Sequence, residues 1–121
     1  MKLFQTTAPH HNLFTGYDAD YVAVNHVLYR HPLLVMPTEL IPWDVSNFDA
    51  LNEAAFEHLL TYRPEVVILG TGSALRFPHP SLSRALTAQQ IGVEVMDTQA
   101  ACRTYNILMS EDRRVLAALL V

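Results

Sequence analysis

A chain of 121 residues, half of them hydrophobic and 17% charged, has the composition of one folded domain and lies far from the apolar-poor, highly charged balance of disordered chains. Its net charge of −4 comes from 12 acidic and 8 basic residues, and the basic ones are scattered, so no stripe exists to track the phosphates of a nucleic acid. Cys102 is the single cysteine, which excludes an intramolecular disulfide and a cysteine-based zinc site and fits a reducing compartment; the expected location is the cytoplasm.

One domain is expected over residues 1–121, with residues 1–12 as a flexible start. The first thirty residues hold neither an apolar block behind a basic start nor an Arg-rich amphipathic pattern, which reads as an untargeted chain. Residues 13–29 alternate, with Tyr17, Tyr21, Ala23, Asn25 and Val27 on one parity and a break at Asp18-Ala19-Asp20, which predicts an antiparallel hairpin. Residues 33–36 form a short apolar run fenced by Pro32 and Pro37, a third short strand.

Between residues 47 and 62, Leu51, Ala54, Ala55, Leu59 and Leu60 recur at helical spacing, with Ser46 or Asn47 available as cap and Pro64 as stop. Val66-Val67-Ile68-Leu69 is apolar throughout, as a parallel strand covered on both faces requires. A turn at Gly70-Thr71-Gly72 comes next, then a second helix from about Ser81 to Gln89 or Gln90, released at Gly92. Residues 93–96 are the next strand. Asp97 or Thr98 can cap a third helix with Ala101, Cys102, Tyr105, Leu108 and Met109 inward and Gln99, Arg103, Asn106 and Ser110 on a polar face.

The tail from Val115 to the end is seven apolar residues, far short of the roughly 20 a membrane-spanning helix needs, and after four charges it reads as a buried strand rather than prolonged helix. No transmembrane segment is expected. The fold class is therefore α/β: a short parallel sheet with flanking helices, and the N-terminal antiparallel hairpin as an additional β layer or an extension of the edge.

In an open parallel sheet the loops leaving the carboxyl ends of the strands make the usual ligand crevice. Gly70, Thr71 and Gly72 leave one strand and Asp97 and Thr98 the next. Glycines permit close approach of amides to an anion, and a helix start adds free N–H groups. With Arg76 or Arg103, and Asn106 three residues on, these could hold a carboxylate or phosphate. The other reading is a tight turn after a buried strand, with Arg103 paired to Asp97 or Glu94 for structure alone. Leu75 stands where a dinucleotide fingerprint needs a third glycine, and no Gly-Lys-Ser/Thr comes after it.

No catalytic residue, cofactor site or metal site is assigned. Ser73 with His79 lacks the glycine pattern of a nucleophile elbow, and Cys102 on an apolar stripe reads as a buried, inert thiol. His10, His11, His26, His31, His58 and His79 show no metal-ligand spacing. Trp43 beside Pro42 reads as a core anchor, with an interface role the alternative.

The run Pro64-Glu65-Val66-Val67-Ile68-Leu69-Gly70-Thr71-Gly72, then Arg76-Phe77-Pro78, then Gly92-Val93-Glu94-Val95-Met96-Asp97-Thr98-Gln99-Ala100-Ala101-Cys102-Arg103-Thr104-Tyr105-Asn106, resembles the small family that includes assembly factor 3 of mitochondrial complex I. Leu108, Glu111-Asp112-Arg113-Arg114-Val115 and the weaker Asn25, Pro32-Leu33-Leu34-Val35 and Trp43 extend the likeness from about residue 14 to the end. The resemblance implies a three-layer β plus α/β fold and an assembly or scaffold role; the family's mitochondrial members help build NADH:ubiquinone oxidoreductase with another assembly factor. Ala74-Leu75 departs from a more polar pair, and Asp112 replaces a usual glycine.

The expected function is thus a non-enzymatic binding or assembly module with a protein partner, held at the loop edge or on the exposed face of the N-terminal β layer. The alternative is a small-anion-binding domain or enzyme using the two loops with Arg103. A homo-oligomer is left open.

Overall fold

The computed structural model describes residues 11–121. In chain order the regular elements are β1 (Phe14–Asp18), β2 (Tyr21–Val24), β3 (Val27–Tyr29), β4 (Leu33–Val35), β5 (Leu40–Pro42), α1 (Glu53–Glu57), β6 (Val66–Gly70), α2 (Arg84–Ala88), β7 (Gly92–Met96), α3 (Thr98–Ser110) and β8 (Val115–Leu119). Of the start expected to be flexible, residues 1–10 lie outside the described residues. Asn12 is fixed: its N–H donates to the Pro37 carbonyl at 2.8 Å and its side-chain amide to those of Met36 and Glu39.

β6 and β8 are buried at every position. Side chains alternate across a strand. Val66, Ile68, Val115, Ala117 and Leu119 enter one core, Val67, Leu69, Leu116 and Ala118 the other. This explains runs without polar alternation: both faces of the sheet are covered. The sheet has five strands in the order β5-β4-β8-β6-β7, with β6 parallel to both β7 and β8 and β4 antiparallel to β8 and β5. The chain steps from β6 outward to β7, then back past β6 to β8. A constant crossover hand then places α2 and α3 on opposite faces, and they contribute to opposite cores.

The second layer of β structure is a separate three-stranded antiparallel sheet, β1-β2-β3, sharing a core with α3 on one face of the large sheet. Phe14, Val22 and Val24 point inward there, with the Phe14 ring edge-on to Tyr105 at 5.1 Å. The opposite face carries α1, α2, Trp43 and Val45. The architecture is three layers, and the tail after Arg114 is strand, as its apolar run implies.

Several local expectations are corrected. The predicted hairpin over residues 13–29 is three strands, because Asn25 and His26 both adopt positive φ (50° and 70°) in a two-residue turn whose twist suits a hairpin. Residues 40–42 form an unexpected edge strand ending in Pro42. The continuous helix expected over residues 47–62 is broken. Asn47 accepts the Ala50 N–H and caps a 3-10 turn at Phe48–Ala50; Leu51 is extended; Asn52 then accepts the Ala55 N–H and caps α1, which tightens into a 3-10 turn at His58–Tyr62. Asparagine bonding to its own local backbone competes with helix continuation, and two of them five residues apart restart the chain. The second helix likewise opens as a 3-10 turn at Pro80–Ser83 and is α-helical over only five residues.

Leu116 lies in the central strand at 0% exposure and packs into the helical-layer core. Leu116→Ala is expected to lower unfolding stability by about 2–5 kcal/mol, read as a shifted urea midpoint with an unchanged slope.

Candidate functional site

β6 and β7 are parallel neighbours in register, Gly70 opposite Met96, so the loops that leave them emerge side by side. Asp97 caps α3 by accepting the Ala100 N–H at 2.9 Å, which sets Thr98 as the first helical residue, directly over the end of β6. A Cβ added at Gly70 would lie 2.8 Å from Leu119 Cδ2 and 3.1 Å from Thr98 Cα. Glycine at 70 is therefore a packing requirement of the strand–helix contact. Gly72, at φ +94°, is the glycine that the turn itself requires.

Five of the eight predicted site residues, Gly70, Thr71, Gly72, Asp97 and Thr98, meet at this crossing, and their polar groups are bonded to one another and to neighbouring backbone. The Thr98 hydroxyl donates to the Leu120 carbonyl at 2.7 Å and accepts the Gly72 N–H at 2.8 Å, while the Thr98 N–H donates to the Gly72 carbonyl at 2.9 Å. The Thr71 N–H donates to the Met96 carbonyl, and its hydroxyl donates to the Ala74 carbonyl at 2.7 Å while accepting the Arg76 N–H. The Leu120 N–H donates to the Gly70 carbonyl, tying the end of β8 into the same knot. Thr71 and Thr98 are buried. What remains open between this knot and the β1–β2 turn is a crevice of about 20 Å³, space for about one water molecule.

The other three turn away. Arg76 lays its guanidinium 4.0 Å from the Phe48 ring centroid and pairs with Asp49 at 3.2 Å. Arg103 donates to the Tyr17 hydroxyl at 2.8 Å, not to Asp97 or Glu94, and that bond raises its already high pKa. Asn106 is buried and clamps β1: its side-chain oxygen accepts the Phe14 N–H at 2.9 Å and its amide donates to the Phe14 carbonyl at 2.8 Å. It thus exchanges with Phe14 the two bonds a neighbouring strand would supply. With the Tyr105 hydroxyl donating to the Asn12 carbonyl at 3.0 Å, three nearby residues of α3 fasten the small sheet.

Among the described residues no group of three or more His, Cys, Asp or Glu is placed to hold a metal ion. Ser73 and His79 form no pair; His79 Nδ1 accepts the Ser81 N–H and caps the 3-10 turn at Pro80–Ser83. Cys102 is buried in the core, and desolvation pushes its thiol up to about 12. Larger hollows lie elsewhere. One, of about 260 Å³, sits at the amino ends of the parallel strands between Met36, Pro64 and Met109; another, of about 380 Å³, lies beside Trp43 and α1. The exposure of the apolar side chains Val27 and Leu28 on β3, and of Leu75 and Phe77 after β6, was not anticipated from sequence. The signal for β3 was the Asn-His turn that makes it an edge strand.

The fold and the crossing define an α/β domain in which a small antiparallel sheet is docked on the long helix beside a mixed sheet. Residues 14–120 match the family model described as a protein of unknown function (DUF498/DUF598), and the chain belongs to that family. It is 31% identical over 122 residues to the NADH dehydrogenase [ubiquinone] 1 alpha subcomplex assembly factor 3 of Bos taurus, covering 99% of this chain and 66% of that one. The chain thus spans just under two thirds of that relative's length. The crystal structure of a Bordetella parapertussis protein superposes with TM-score 0.86 at 39% identity, over 91% of this chain and 95% of that one. The solution structure of a Bordetella pertussis protein described as an Mth938-like domain gives 0.82 at 33%, over 99% and 92%.

Asn106→Ala leaves the buried N–H and C=O of Phe14 without partners, and each lost partner costs about 1–3 kcal/mol. The expected result is a loss of about 2–5 kcal/mol in chemical denaturation, with hydrogen exchange accelerated first in β1–β3. The Cys102 thiol, raised in the fold from 9.0 to about 12, contributes stability that is complete below pH about 9 and declines as pH rises toward 12, because the unfolded chain ionises first. Stability measured from pH 8 to 11 should fall, less steeply in Cys102→Ala. At pH 8 a thiol reagent should label the native chain far more slowly than the denatured one.

Proposed function

We propose that this chain is a non-enzymatic, assembly-factor-like binding module whose partner is a polypeptide. The observation that carries this reading is the knot at the loop crossing: groups that would face a small ligand are bonded to one another and to neighbouring backbone, and a water-sized crevice remains. The relatives named as assembly factors support the same direction.

The client surface in this reading is the open side of the small sheet. β1 is closed off by Asn106, whereas β3 pairs with β2 on one side only and its outer edge has no partner among the described strands, with Val27 and Leu28 about half exposed. An extended client segment can add to such a strand through main-chain hydrogen bonds, with apolar side chains supplying affinity. Subunits of an NADH:quinone oxidoreductase are the first clients to test, given what the relatives are called. The proposed compartment is the cytoplasm, with cell fractionation as its check.

The test is affinity capture of the tagged chain from its own cells with quantified co-purifying proteins. Leu28→Asp should lower recovery of a specific client at least about tenfold with the melting temperature within a few degrees of wild type, while Arg103→Ala retains it. Equal recovery from Leu28→Asp would remove the β3 surface. A stoichiometric small anion lost in Arg103→Ala, with no client, would favour the ligand-binding alternative.

A further inference from the structure

We propose that the hollow at the amino ends of the parallel strands binds a small zwitterion, an α-amino acid with an apolar side chain. Its ammonium meets Glu39 and Asp112, its carboxylate meets Arg114, and its side chain lies on Met36, Met109 and Val115. This goes beyond the client-binding reading: the site is separate from β3 and lies at the opposite edge of the large sheet from the loop crossing.

The hollow holds about 260 Å³, against about 20 Å³ at the crossing. It falls just below the roughly 300–1,000 Å³ of sites for drug-sized ligands, which suits a smaller molecule. Its walls are fastened from behind. On one side the turn between β4 and β5 is closed by the Met36 N–H, which donates to the Glu39 carbonyl at 2.9 Å, and is held by the Asn12 side-chain amide, which donates to the Met36 and Glu39 carbonyls. On the other, the Arg114 N–H donates to the Glu65 carboxylate at 2.7 Å and the Glu65 N–H to the Arg114 carbonyl at 2.9 Å. A cavity fixed before its ligand arrives loses little freedom on binding.

The charges that line this hollow are unspent, unlike the polar groups at the crossing. Arg113 is paired with Glu65 at 3.4 Å. Glu39, Asp112 and Arg114 line the same space, and none of them forms an ion pair among the described residues. The Arg114 Nε donates to the Arg63 carbonyl at 3.3 Å, which holds the guanidinium in place. Its two terminal nitrogens have no hydrogen-bond partner among the described residues and remain a fork for a carboxylate. Two carboxylates and one guanidinium above an apolar floor of buried Met36, Pro64, Met109 and Val115 are complemented in full only by a molecule that carries both charges beside an apolar group.

Isothermal titration of the full chain at pH 7 with L-leucine, L-methionine and L-phenylalanine tests this. At least one should bind with a Kd below about 1 mM, glycine should bind at least about tenfold more weakly, and N-acetylation or amidation of the ligand that binds should each weaken it at least about tenfold. Asparagine at 112 tolerates the φ of 64° there, and the Glu39 side chain makes no hydrogen bond among the described residues, so the double variant Glu39→Gln/Asp112→Asn should keep the fold. It should bind at least about tenfold more weakly with circular dichroism unchanged, Arg114→Gln likewise, and Leu28→Asp as tightly as wild type. If Arg114→Gln does not fold, the amidated ligand reads the same contact. No binding by any of the three amino acids up to about 10 mM, a capped ligand as tight as the free one, or wild-type affinity in the double variant would each overturn the proposal.

Discussion

The constraint on which the structure depends is that β6 and β8 have no polar face. A strand apolar on both sides must lie inside a sheet that is itself inside a sandwich, so the chain needs covering on two faces, and its two kinds of layer result. One cover is helical, built from short interrupted turns around Trp43, Phe56 and Leu86. The other is composite: α3 and the small sheet share the area, neither wide enough alone. The seam between them holds polar groups: Asn106 meets the buried N–H and C=O of Phe14, Tyr105 the Asn12 carbonyl, and Arg103 the Tyr17 hydroxyl at the exposed rim.

That requirement also decides what the loop edge can do. Because α3 begins directly over β6, its first turn is pressed against Gly70, and the amides and hydroxyls that might have faced a ligand are turned toward Gly72, Met96 and Leu120. A parallel-sheet edge is ordinarily the place where binding loops spread apart. In this chain the same loops form a seal.

Much of the second half was legible because its signals are local. Val66-Val67-Ile68-Leu69 reads as strand, Asp97 as a cap, and Asp112 tolerates the left-handed turn at φ 64° that ends α3. The failures share a cause too: Asn25-His26, Asn47 and Asn52 are positions where one side chain or one positive φ redirects a segment that hydrophobic spacing treats as continuous. The convergence of Gly70, Thr71, Gly72, Asp97 and Thr98 came from adjacency of two strands. Their mutual saturation did not, since it needs the carbonyl of Leu120, delivered by β8. Nor could spacing show that Asn106 belongs to Phe14, 92 residues earlier, or Arg76 to Asp49.

One consequence lies in the order of synthesis. β8 is the last of the described strands to be made, yet it sits between β4 and β6 and joins the two halves of the large sheet. Until it arrives, β4 with β5 and β6 with β7 are separate fragments, each offering an unfilled slot to any passing extended segment. A growing chain of this kind stays receptive to wrong insertions until its final strand emerges, and loss of that strand would leave two half-sheets rather than a slightly smaller protein.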